Sequence, residues 1–152
     1  MLKLGLLHPA ILEVLGCAGR GAKILIADGN YPFSTQLGPN ARLVSLNLSP
    51  GLVNATQVLE AIASAIPIEE ATVMNPVTAE ACVPGDEPLI WAEFQRILKT
   101  SGCSAPLNKV DRSWFTEFGK DRNVALTIAT AEQRVCGSLL VQIGTVLPEF
   151  GP

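Results

Sequence analysis

The sequence predicts an α/β domain with a central sheet flanked by helices, on three observations. Short aliphatic runs bounded by glycine have the length of buried strands. Between them lie stretches whose apolar residues recur every three or four positions, the spacing of a helix that buries one stripe. The two patterns alternate along the chain, as they do in layered α/β architectures.

Each element can be justified in order. Pro9 followed by Ile11, Leu12, Val14 and Leu15 predicts a first helix, with the proline in the opening turn where its missing N–H does no harm, ending at Gly16 and Gly19. His8, the sole histidine, stands just before it as a capping or surface residue. Residues 22–28 read as a strand between Gly21 and Gly29 that presents Asp28 at its carboxyl end, and 42–48 as a second strand. From Gly51 to Ile66, the apolar positions Ala55, Val58, Leu59, Ile62 and Ile66 fall on one helical stripe, which Pro67 closes. A strand over 71–77 follows. Pro88 then opens a helix in which Ile90, Trp91, Phe94, Ile97 and Leu98 share a face, with Gly102 as its stop. Residues 107–111 read as a strand, 113–121 as a helix, and 124–130 and 138–144 as the last strands. The segment Thr78 to Glu87, rich in proline, glycine and acidic groups, is expected to be a surface loop covering a neighbouring site.

With 152 residues and no low-complexity tract, residues 1–152 are read as one domain. The composition is 48% hydrophobic and only 16% charged, which leaves the surface short of charge; oligomerisation accounts for that, because neighbouring subunits replace a charged coat with apolar contacts. A net charge of -3 with scattered lysines and arginines lacks the basic footprint of a nucleic-acid binder. No run approaches the ~20 apolar residues of a bilayer span. Glu13 interrupts the apolar amino terminus and no cleavage pattern follows, so a cytoplasmic location is expected. The cysteines at 17, 82, 103 and 136 have neither zinc nor redox spacing, so reduced and mostly buried thiols are expected, with no metal and no cofactor.

The string 19–33, GRGAKILIADGNYPF, resembles the opening signature of the RbsD/FucU sugar-mutarotase family: a Gly-His-Gly turn, a strand ending in Asp, then Asn or His, an aromatic and Pro. Here these are Asp28, Asn30, Tyr31 and Pro32, with Arg20 at the histidine position. The strand VMNPV, the helix entry PLIW and the VDRSWF segment follow in the family's order, the last resembling its Asp/Glu-Arg-x-x-Phe pattern. In ATAEQRVCGSLLVQIGTV, Gly137 matches the centre of the family's Tyr-Gly-Asn triplet, which Cys136 and Ser138 flank instead of Tyr and Asn.

The resemblance implies a sheet flanked by helices, a ring-shaped homo-oligomer, commonly decameric, and monosaccharide sites where subunits meet. It implies a mutarotase, closest to the L-fucose branch, that opens and recloses a sugar ring to exchange anomers. Asp28 and Arg20 are the expected catalytic residues; Asp28, Tyr31, Arg112, Cys136 and Ser138 are expected to touch the sugar. A guanidinium has five donors and no acceptor, so Arg20 cannot serve as the base that histidine supplies. It can polarise the ring oxygen while Asp28 takes the proton, or simply pair with Asp28. Arg112 has planar donors suited to adjacent hydroxyls, or it pairs with Asp111 or Glu117. Cys136 reads as a buried structural thiol before a nucleophile. Trp91, Phe94, Trp114 and Phe115 read as core or subunit interface rather than sugar platforms. Two further readings stand beside the mutarotase: a non-catalytic sugar-binding or scaffold protein, and an enzyme acting on a sugar acid that Arg20 would attract.

Overall fold

The computed structural model describes residues 1–76 and 86–149. Most of the loop expected over Thr78 to Glu87 lies outside the described residues. Ten elements follow in chain order: α1 (Pro9–Cys17), β1 (Lys23–Ala27), β2 (Arg42–Ser45), α2 (Ala55–Ala63), β3 (Ile68–Met74), α3 (Leu89–Thr100), β4 (Asn108–Val110), α4 (Arg112–Gly119), β5 (Val124–Ala129) and β6 (Leu139–Ile143).

The strands form one six-stranded sheet in the order β2-β5-β1-β6-β3-β4. β1, β2 and β5 run parallel, β3 and β4 run parallel, and β6 is antiparallel to both of its neighbours β1 and β3. The carboxyl ends of five strands therefore lie along one edge of the sheet. The amino end of β6 joins them there, and this edge carries the site.

The pleat sorts side chains between two cores, because successive residues of a strand point to opposite faces. Ile24 and Ile26 of β1 join Leu126, Ile128 and Val141 under the apolar stripes of α1, α2 and α3. Leu25 and Ala27 face the other way and meet Val124, Leu140, Tyr31 and Phe115 of α4. Phe94 and Phe115, both fully buried, anchor one core each.

The departures from the expected boundaries have local causes. α2 begins at Ala55, not Gly51, because Asn54 is its cap: Asn54 accepts the Gln57 N–H at 2.9 Å while Gln57 accepts the Asn54 N–H at 3.0 Å. β3 begins at Ile68 and ends at Met74, so the charged pair Glu69–Glu70 lies inside a strand. β2 stops at Ser45. His8 caps α1 as expected, its Nδ1 accepting the Ile11 N–H at 3.4 Å. Cys103 and Cys136 are buried as expected, whereas Cys17 is exposed, and Cys82 lies outside the described residues. Trp114 is also exposed, while Trp91, Phe94 and Phe115 are core.

Candidate functional site

Asp28 follows the last residue of β1 and is only 6% exposed. Its carboxylate is held by two neutral donors: the Ser138 hydroxyl donates to Oδ2 at 2.9 Å, and the Asn30 N–H donates to Oδ1 at 2.8 Å. The Asp28 N–H in turn donates to Ser138 Oγ at 2.9 Å, so the ends of β1 and β6 are tied by a reciprocal pair. No cation pairs with Asp28 among the described residues. A carboxylate offers about four lone-pair positions. Asp28 keeps free capacity to accept a proton.

Beside it opens a cleft of about 450 Å³, within the ~300–1,000 Å³ typical of small-ligand sites. One wall is Gly29–Asn30, the other Asn47–Pro50, and the floor is Thr130–Gln133. Asp28 stands one residue behind the first wall. The floor is tied to both walls through the backbone: Gly29 N–H donates to Glu132 O at 2.8 Å, and Gly51 N–H donates to Ala131 O at 2.8 Å. A Cβ on Gly29 would lie 3.2 Å from that Glu132 oxygen, which is why this wall approaches so closely.

The floor holds a second carboxylate, Glu132, of opposite character. It is 3% exposed, and its oxygens accept five hydrogen bonds. The donors are the N–H groups of Ala55, Gln133 and Arg134, and Arg134 Nε and Nη2. Burial pushes this carboxyl up, but the Arg134 guanidinium and the backbone donors outweigh it and hold the group below its ordinary value. Arg134 also reaches Glu93 of α3 at 2.7 Å. Glu132 has no free lone pair to act as a base.

The sequence reading did not single out Glu132, Asn47 or Gln133. A lone carboxylate two residues before an arginine, between two apolar strands, was the one signal available.

The expected site residues divide between the sheet's two edges. Asp28, Ser138 and Cys136 come together at the carboxyl-end edge. Cys136 is buried at φ 55°, and its carbonyl accepts the Trp91 Nε1 hydrogen at 3.2 Å. Arg112 starts α4 at the same edge, three strands from β1, on the order of 15 Å away. It is exposed and pairs with neither Asp111 nor Glu117. Tyr31 turns inward instead of toward the cleft. It packs edge-on against Phe115 at 6.2 Å, and its phenol points at Gly119, where a Cβ would lie 2.4 Å from the oxygen. Burial first, and Asp28 second, push the phenol up to about 12.

Arg20 is at the opposite edge, on the order of 20 Å along β1 from Asp28. The Arg20–Asp28 pair considered from sequence therefore does not form in this chain, because the two residues flank the same strand. Arg20 Nε donates instead to Glu69 Oε2 at 3.2 Å, and Gln142 donates to Glu69 Oε1 at 2.8 Å. Gln142 foremost, with burial opposing and Arg20 adding, holds the Glu69 carboxyl below its ordinary value.

The profile of the RbsD / FucU transport protein family matches residues 1–146. The chain belongs to that family. It is 30% identical to the fucose mutarotase of Homo sapiens over 148 residues, 93% of this chain and 90% of that one. The structure of FucU from Bifidobacterium longum superposes with a TM-score of 0.77 at 27% identity, covering 94% of this chain and 99% of that one. The Streptococcus pneumoniae fucose mutarotase, solved with L-fucose, shares the fold with a TM-score of 0.75 at 23% identity, covering 92% and 94%. The RbsD/FucU membership and the α/β architecture expected from sequence thus hold. No described helix is long and apolar enough to cross a membrane.

Proposed function

We propose that this chain is a monosaccharide mutarotase of the L-fucose type, with an altered site. The observation that carries the reading is the buried Asp28 carboxylate, fixed by neutral donors only and one residue before the Gly29–Asn30 wall of a cleft of sugar size. In this reading Asp28 accepts the proton of the anomeric hydroxyl while the bond between the anomeric carbon and the ring oxygen breaks. The same proton then passes to the ring oxygen, leaving an open-chain aldehyde. Rotation about the first carbon–carbon bond and reversal of these steps give the other anomer. The fucose mutarotase relatives support this assignment of substrate.

Arg20 enters the reaction only through assembly. In the ring proposed for this chain, the amino-end edge of one protomer meets the Asp28 edge of the next, and Arg20 polarises the ring oxygen there. Arg112 binds sugar hydroxyls at that junction from an adjoining subunit, Ser138 holds the Asp28 carboxylate in place, and the protein works in the cytoplasm as a homo-oligomer. Saturation-transfer NMR tests the proposal: L-fucose anomers should exchange faster with the protein than in buffer alone. Binding of L-fucose without faster exchange would favour a non-catalytic sugar-binding role, and absence of both would end the L-fucose reading.

A further inference from the structure

Glu132 is a buried ionisable group that the proton transfer does not use, yet it ties the cleft floor to the Gly29 wall and to the start of α2. Its side chain accepts the first N–H of α2 at Ala55 and the N–H groups of Gln133 and Arg134. Its backbone oxygen holds Gly29, and its N–H donates to Thr130 Oγ1 at 3.2 Å. A Cβ at Gly137 would lie 2.7 Å from Glu132 Cγ and 3.5 Å from Asp28 Cβ, so Gly137 packs against the side chains of both acidic residues. The next residue is Ser138, whose hydroxyl binds Asp28.

We infer that Glu132, clamped by Arg134, is the positioning residue of the site: it fixes the loop over 130–138 so that Ser138 and the Gly29 wall hold the Asp28 carboxylate in its reactive orientation. Five donors converge on two oxygens, an arrangement that needs a full negative charge to be stable. A glutamine in the same place would turn an amide nitrogen toward groups that are themselves donors. The loop then rearranges, and the Ser138–Asp28 pair loses its register. Geometric errors of this kind act on the chemical step more than on sugar binding, because reaction requires near-attack placement.

The kinetic part of the test rests on the mutarotase reading; its spectroscopic part does not. Glu132→Gln, Glu132→Asp and Arg134→Met are prepared in the full chain. For L-fucose exchange, Glu132→Gln and Arg134→Met should each lower kcat by about tenfold or more per folded site, with KM within about twofold. Glu132→Asp, which keeps the charge facing Arg134, should recover part of the loss. The amide resonances of Asp28, Gly29 and Asn30 should move in Glu132→Gln and Arg134→Met. Arg134→Met leaves the three backbone donors on Glu132 in place and keeps the test open if Glu132→Gln fails to fold. Unchanged kcat per folded site, with only a lower Tm, overturns the inference. If the unaltered protein exchanges no L-fucose, the mutarotase reading has failed by itself. The inference then stands or falls on whether those three resonances move.

Discussion

At the carboxyl end of β1, Asp28 is almost fully buried and each of its oxygens has one neutral hydrogen bond; at the amino end, Arg20 keeps 70% of its side-chain surface in solvent and leans on a partly exposed Glu69. Both ends carry charge on the same strand, but burial makes them different objects. Orientation at Asp28 is set by a network that includes a second buried carboxylate, so small changes there propagate into the chemistry. The Arg20–Glu69 pair is screened by water and exchanges partners at little cost. One edge is pre-organised within the chain. The other is available to be organised by something else.

The strongest way to break this contrast is Asp28→Asn. The amide keeps the shape and the neighbours but cannot accept the anomeric proton, and general base contributions run to about 10²–10⁴-fold. L-fucose exchange measured by saturation-transfer NMR should fall by about 100-fold or more, with the fold retained by circular dichroism. Exchange that survives this change would move the base elsewhere.

Next in size is the acid limb of stability, which separates the second buried carboxylate from exposed ones. Glu132 titrates below its ordinary 4.5 in the folded protein, so the unfolded chain binds its proton first as pH falls. Its contribution is present above about pH 4.5 and is lost as pH drops through the lower folded value. Urea midpoints followed from pH 6 down to pH 3 should therefore fall more steeply for the unaltered protein than for Glu132→Gln. Parallel curves would mean the Glu132–Arg134 clamp is not formed in solution.

Much of this contrast could be read from the sequence, and the part that could not has a physical pattern. The run over 22–28 announces a buried strand by its own apolar residues, and Asp28 stands out because a carboxylate there must sit at a sheet edge. β3 starts three residues before the strand the sequence predicts, because Glu69 and Glu70 hide the start of a strand whose apolar residues Ile68, Ala71 and Val73 are buried. Glu132 was overlooked because Ala55 and Glu93, to which it and Arg134 connect, are far away in sequence. Tyr31 lies close to Asp28 in the chain, and that closeness is all that points it to the sugar. Proximity in sequence does not determine which side of the sheet a ring packs against.

Tyr31 also supplies a smaller test. Its phenol is buried, makes no hydrogen bond among the described residues and abuts Gly119, so Tyr31→Phe removes an unsatisfied polar atom. Stability in urea should rise by about 1 kcal/mol, and L-fucose affinity should not change. The raised phenol also fixes a sign at high pH: the unfolded chain ionises near 10.0 and the folded one near 12. The unaltered protein should lose stability from pH 10 to pH 12 through this group, and Tyr31→Phe should not. A loss of sugar affinity would put the ring back in the site.

The smallest expected effect on stability, and the one that sharpens the contrast most, comes from Arg20→Gln. The pair it removes is exposed, so Tm should stay where it was. In an isolated protomer the change lies on the order of 20 Å from Asp28 and would leave exchange untouched. In a ring that sets the two edges against each other, the same change removes the donor facing the ring oxygen, and exchange should fall while monomer stability does not. Sedimentation run alongside the kinetics reads assembly directly. If exchange is lost while assembly and Tm are kept, Arg20 acts across a subunit boundary; if all three are unchanged, the amino-end edge takes no part in the chemistry.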